Sequence, residues 1–115
     1  MDLLNSTFEK IDSASPQLKE GEIQKYLSEI NEWQVVVESG IHKLSCSFWT
    51  QKYNRSLTLT NRIASLAESV NHHPIITLAY SSVNVVWWTH EIQGLHKNDF
   101  IMAAMTSRLF EDFAG

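Results

Sequence analysis

Residues 33–49, WQVVVESGIHKLSCSFW, decide the fold. The first half is β-branched; the second alternates Leu44, Cys46 and Phe48 with Lys43, Ser45 and Ser47. A period of two is a strand period, because successive side chains leave a strand on opposite faces. Ser39-Gly40 lies between the halves as a turn. The stretch therefore predicts a β-hairpin with one buried and one wetter face.

Helical spacing flanks the hairpin. Upstream, Ser15-Pro16 marks a helix start, and Ile23, Leu27 and Ile30 recur on one side before Trp33 closes the segment. Downstream, from Thr50 to Val70, a stripe of Tyr53, Leu57, Ile63, Leu66, Ala67 and Val70 predicts the longest helix. Asn71 is its stop, and Pro74 blocks continuation through His73. ITLAY (76–80) and VNVVWWTH (83–90) then form a second strand pair around Ser81-Ser82. Gly94 breaks the following loop, and Asn98 or Asp99 caps a last helix through Phe100, Ala103, Ala104, Leu109 and Phe110. The order α-β-β-α-β-β-α predicts an α+β fold, a four-stranded antiparallel sheet with three helices packed on one face. Residues 1–15 read as a loosely ordered N-terminal lead, and 16–115 as a single domain.

A chain of 115 residues with 43% apolar and 19% charged residues suits one domain with its own core. The net charge of −4, with Lys and Arg scattered, argues against nucleic acid as a partner. One cysteine, Cys46, excludes an intrachain disulfide. No apolar run reaches the roughly 20 residues of a membrane span, and the first residues lack the basic start of a secretory signal. The expectation is a cytoplasmic protein with no membrane contact.

Four of the five histidines fall between Glu68 and Asp99: His72, His73, His90 and His96. Imidazole titrates near neutrality and both donates and accepts protons, so this segment is the candidate acid/base site. On composition alone, His42 and His96 read as ordinary loop histidines. His72 and His73 could equally satisfy carbonyls at a helix end. Adjacent histidines seldom reach one ion together, and no HxxxH or cysteine pair accompanies them, which disfavours a metal site from His72, His73, His90 and Asp99.

The ordered set Glu68-x-x-Asn71-His72-His73-Pro74, Thr89-His90, Gly94-Leu95 and Asp99 resembles the signature of the pterin-4a-carbinolamine dehydratases. His73 to His90 spans 17 positions and His90 to Asp99 spans 9. The resemblance runs from about Glu20 onward, and WWTHEIQGLHKNDFIMAA looks especially like bacterial members associated with phenylalanine hydroxylase. Two departures stand out. Ile75 and Ile76 occupy positions that often hold an acid and a Trp, and Asn71 replaces a frequent Asp.

The resemblance implies a hydro-lyase that dehydrates 4a-hydroxytetrahydropterin to quinonoid dihydropterin, recycling the cofactor of an aromatic amino acid hydroxylase. It implies no metal and no redox cofactor. It makes His73 and His90 the acid/base pair, His72 a hydroxyl contact or relay, and Asp99 the carboxylate that orients an imidazole. Glu68, Pro74, Ile76, Tyr80 and Thr89 are expected around the substrate, with Ile76 or Tyr80 as the apolar wall and Thr89 serving the framework. A homodimer or homotetramer is implied as well. The alternative is a non-enzymatic dimerisation or transcriptional-coactivator module of the same fold. Of Trp87 and Trp88, adjacent on a strand, one should face the core and the other cover the site or an interface.

Overall fold

The computed structural model describes residues 3–114. The predicted hairpin forms from β1 (Gln34–Glu38) and β2 (Ile41–Trp49), paired from Gln34 opposite Ser45 to Glu38 opposite Ile41. Both turn residues, Ser39 and Gly40, have positive φ, 51° and 77°. That is the backbone of a two-residue turn whose twist matches that of the strands it joins.

A second hairpin, β3 (Ile75–Leu78) and β4 (Ser82–Trp87), docks beside it, giving a four-stranded antiparallel sheet in the order β1-β2-β4-β3. The long strands sit in the middle and the short ones at the edges. Leu44, Cys46 and Phe48 of β2 and Val83, Val85 and Trp87 of β4 are all buried on one face. The opposite face carries Ser45, Ser47 and Asn84, tied by a bond from the Asn84 amide to the Ser47 hydroxyl at 2.8 Å.

Three helices cover the apolar face: α1 (Glu20–Leu27), α2 (Tyr53–Val70) and α3 (Lys97–Ala114). Element order, sheet and one-sided packing agree with the sequence expectation. The details shift. Helix α1 starts at Glu20, not at Ser15-Pro16, and the Leu18 N–H instead ties the preceding segment to the Leu95 carbonyl at 2.9 Å. Helix α2 buries Ser56, Leu59, Ile63 and Ala67. Tyr53 and Leu57, assigned to its stripe, are instead 50% and 44% exposed. The phase turns because the Ser56 hydroxyl bonds that of Thr50 and the carbonyl of Tyr80, anchoring the first turn on a polar residue.

Of the segment 1–15, Met1 and Asp2 lie outside the described residues. Leu3–Asn5 make one 3-10 turn, and Leu3 is buried in the core. Deep in the same core, Trp33 donates its indole N–H to Ser107 at 2.8 Å, and Trp87 donates to Thr106 at 3.1 Å. Each buried indole thus has the acceptor it needs.

Candidate active site

Helix α2 ends in a way that separates two adjacent histidines. Asn71 adopts the left-handed conformation (φ 52°, ψ 42°). The Asn71 N–H bonds the Glu68 carbonyl at 3.3 Å and the His72 N–H bonds the Ala67 carbonyl at 3.2 Å. This pair of bonds satisfies the last carbonyls of a helix and reverses the chain. Pro74 then holds the chain extended into β3. His72 goes inward and is buried, while the His73 side chain stays 54% exposed.

His72 sits among aromatic rings with a carboxylate at its edge. Its Nε2 is 2.7 Å from Asp99 Oδ1. Its ring lies parallel to Trp87 (interplanar 2°, centroids 5.7 Å), and Phe8 meets it edge-on at 5.7 Å. The other oxygen of Asp99 accepts the Thr89 hydroxyl at 2.7 Å and the His96 backbone N–H at 2.9 Å. Asp99 is fully buried, and these three donors occupy both of its oxygens. An ionised carboxylate only accepts. The pairing therefore puts the Nε2 proton on His72 and leaves Nδ1 as the acceptor of the neutral ring.

Asp99 reaches this point because α3 begins with a reciprocal cap. The His96 ring Nδ1 accepts the Asn98 N–H at 3.0 Å, while Asp99 accepts the His96 N–H. This resembles a capping box with imidazole in the usual hydroxyl role. His96, read from sequence as an ordinary loop histidine, is thus a buried helix cap.

Thr89 and Gly94 bond each other's backbone at 2.9 and 3.4 Å, closing a loop around the 3-10 turn His90–Ile92. His90 opens that turn and is exposed. Its ring packs on Trp88 with centroids 4.3 Å apart, and Lys43 Nζ stands 4.1 Å from the Trp88 ring centroid. Trp87 is buried in the core, and Trp88 is buried beneath Lys43 and His90.

The fold thus gathers His72, Thr89 and Asp99 into one hydrogen-bonded cluster. His73 and His90 follow directly in sequence on two of its members. Glu68 binds His73 across 2.8 Å, an exposed pair of small energetic weight. Pro74 lies between His73 and β3. Ile76 pairs with Val85 and packs into the core, whereas Ile75, opposite Val86, is 50% exposed on the other face. Tyr80 is not brought to the cluster. It lies in the turn at the far end of the β3-β4 hairpin, 70% exposed and stacked on Tyr53 at 6.5 Å. Sequence reasoning missed Phe8, and it gave Trp87 no role beside a histidine. Their contacts join distant segments, and no local pattern announces them.

His72 and His73 engage different carboxylates, and among the described residues no group of three or more His, Cys, Asp or Glu side chains could hold a metal ion. No helix is long and apolar enough to cross a membrane among the described residues.

Residues 16–109 match the family described as Pterin 4 alpha carbinolamine dehydratase. A protein of Saccharophagus degradans with the provisional name pterin-4-alpha-carbinolamine dehydratase is 42% identical over 110 residues, 96% of this chain and 97% of its own. One of Marinobacter nauticus, provisionally named likewise, is 44% identical over 96 residues, 84% of this chain and 86% of its own. Among solved structures, a transcriptional coactivator/pterin dehydratase from Brucella melitensis superposes with a TM-score of 0.74 at 26% identity. It covers 82% of this chain and 98% of that one.

Proposed function

The chain belongs to the pterin-4-alpha-carbinolamine dehydratase family, and on that premise we propose that it is a hydro-lyase converting 4a-hydroxytetrahydropterin to quinonoid dihydropterin and water. The reaction breaks the C4a–O bond and removes a proton from a ring nitrogen, whose electron pair forms the new C=N bond. One group must protonate the departing hydroxyl and another must accept the nitrogen proton. Imidazole suits both tasks near neutral pH.

The observation that carries this reading is Asp99, which holds His72 through one oxygen and Thr89 through the other. Each partner is followed in sequence by an exposed histidine, His73 or His90. One buried carboxylate therefore supports both segments that bear the candidate acid and base. His73 and His90 are assigned to proton transfer because they are open to solvent, and buried His72 is assigned to the wall or relay behind them. Glu68 holds the His73 ring. Ile76 faces the core and Tyr80 lies across the sheet, which leaves Pro74 and Ile75 as the apolar residues beside His73. The substrate arises when an aromatic amino acid hydroxylase oxidises its pterin cofactor, so the function couples to that reaction. Self-association as a homodimer or homotetramer belongs to the same proposal, because β1 and β3 each leave one edge without a strand partner.

A non-enzymatic reading draws on the Brucella melitensis protein, whose description joins a coactivator to a dehydratase. It would not need His73 or His90. Stopped-flow dehydration of 4a-hydroxytetrahydropterin separates the two. Wild type should exceed the spontaneous rate, and His73→Ala and His90→Ala should each lose about 10²–10⁴-fold. A wild-type rate equal to the spontaneous one would sink the enzyme reading and favour the binding role.

A further inference from the structure

Residues 3–15 precede the segment that matches the family, 16–109, yet they touch the candidate site. Phe8 meets the His72 ring edge-on at 5.7 Å, on an imidazole already stacked against Trp87. The next residue is held at two points. The Glu9 N–H donates to Asn98 Oδ1 at 2.9 Å, and the Glu9 carbonyl accepts from Asn98 Nδ2 at 2.7 Å. Asn98 is fully buried and adjoins Asp99. The Glu9 carboxylate also lies 3.5 Å from Nε2 of His96, the residue that caps α3.

The residues that follow, at the start of the matched segment, bind the loop that carries His90. Gln17 donates its side-chain amide to the Ile92 carbonyl at 2.8 Å, and the Leu18 N–H bonds the Leu95 carbonyl at 2.9 Å. The crossing is close. A Cβ on Gly94 would stand 2.6 Å from the Gln17 Cδ, so a larger residue there would push the Gln17 side chain aside.

We propose that residues 8–18 form a strap that positions the His72–Asp99 pair and the loop from Thr89 to Asp99, with Phe8 as the positioning residue that keeps water from His72. A charge-assisted hydrogen bond gains strength as water is excluded, and an imidazole fixed in plane presents Nδ1 in one direction only. Phe8 adds a third contact to a ring already held by Trp87 and Asp99. Phe8 carries no group that gives or takes a proton, so its effect runs through the His72 ring that it touches.

The kinetic part of this inference rests on the dehydratase reading; the water-exclusion part does not. The test uses full-length wild type, Phe8→Ala and Phe8→Leu with two readouts, the kcat and KM of dehydration and the solvent-exchange rate of the His72 Nε2 proton by NMR. Phe8→Ala should lower kcat by about tenfold or more, the size expected from a slightly misplaced group, with KM unchanged. It should also speed ring-proton exchange at least about tenfold, and Phe8→Leu should restore most of both. Wild-type kcat and exchange in Phe8→Ala would overturn the strap, as would a wild-type ring proton already exchanging as fast as that of an exposed imidazole. An inactive wild type would sink the reaction assignment alone, with exchange still deciding the strap. Should Phe8→Ala fail to fold, Gln17→Ala loosens the other end through an exposed side chain. Exchange in that variant should also rise, and an unchanged rate would count against the strap.

Discussion

The Nε2 of His72 lies 2.7 Å from a carboxylate oxygen of Asp99, a residue 27 positions later that also holds Thr89 and the backbone of His96. A carboxylate with three donors cannot be replaced by an amide without reversing one of them. Asp99→Asn keeps the shape but offers a single acceptor oxygen, so its NH2 must face either His72 or the Thr89 and His96 pair. We expect His72 to switch tautomer, the rate to fall about 10²–10³-fold and stability to drop about 1–3 kcal/mol. Thr89→Val removes one donor only and should cost about 1 kcal/mol with a much smaller rate loss. Kinetics together with the ring-nitrogen NMR shifts of His72 check both outcomes. An unchanged His72 tautomer in Asp99→Asn would refute the argument.

The left-handed backbone at Asn71 makes a second test. A β-branched residue there meets the steric penalty of that region, about 1–2 kcal/mol, while glycine avoids it at some entropic expense. Asn71→Val should lose that amount of stability and displace the His72-His73-Pro74 turn. Asn71→Gly should stay within about 0.5 kcal/mol of wild type. Urea denaturation with matched m-values measures the difference. Equal midpoints for Val and Gly would show that the turn does not need this conformation.

Cys46 sets a pH limit. Burial first, and the nearby charge of Glu32 second, push its thiol from 9.0 up to about 11. The folded state therefore keeps its proton between those values while the unfolded chain gives it up, so the unfolded form gains stability as pH rises through this window. Below the unfolded value both states hold the proton and the contribution vanishes. Going from pH 9 to 11 should cost wild type on the order of 2 kcal/mol more than Cys46→Ala. Denaturation of both proteins across that range measures it, with Lys and Tyr titration cancelling in the difference. Parallel curves would refute the shift. A thiol reagent at pH 8 should also react slowly until the protein unfolds.

Much of the fold was legible because its signals are local. The alternation around Leu44, Cys46 and Phe48 marks a strand wherever it occurs, and Asn71 with Pro74 stops a helix by backbone sterics alone. The phase of α2 was not legible. Leu57 and Leu59 are equally apolar, and the choice fell to Ser56, whose hydroxyl finds Thr50 only in the folded state. The site shows the same division. His72, His73, His90 and Asp99 stood out by type and spacing, but which imidazole meets the carboxylate depends on how the end of α2 faces the start of α3. Tyr80 looked close to His73 in sequence, yet β3 carries it to the other end of the sheet. Phe8 carried no signal, and Asn98 was marked only as a candidate helix cap, since their partners lie in remote parts of the chain.

The position of Asp99 in the chain has a consequence for quality control. His72 and His90 precede it, and neither segment meets its carboxylate until α3 has docked under the sheet. A molecule with its first hairpin and α2 in place but α3 adrift would present every histidine, yet lack the carboxylate that holds His72 and Thr89. Undocking the first turn of α3 therefore releases His72 and Thr89 together, not one after the other.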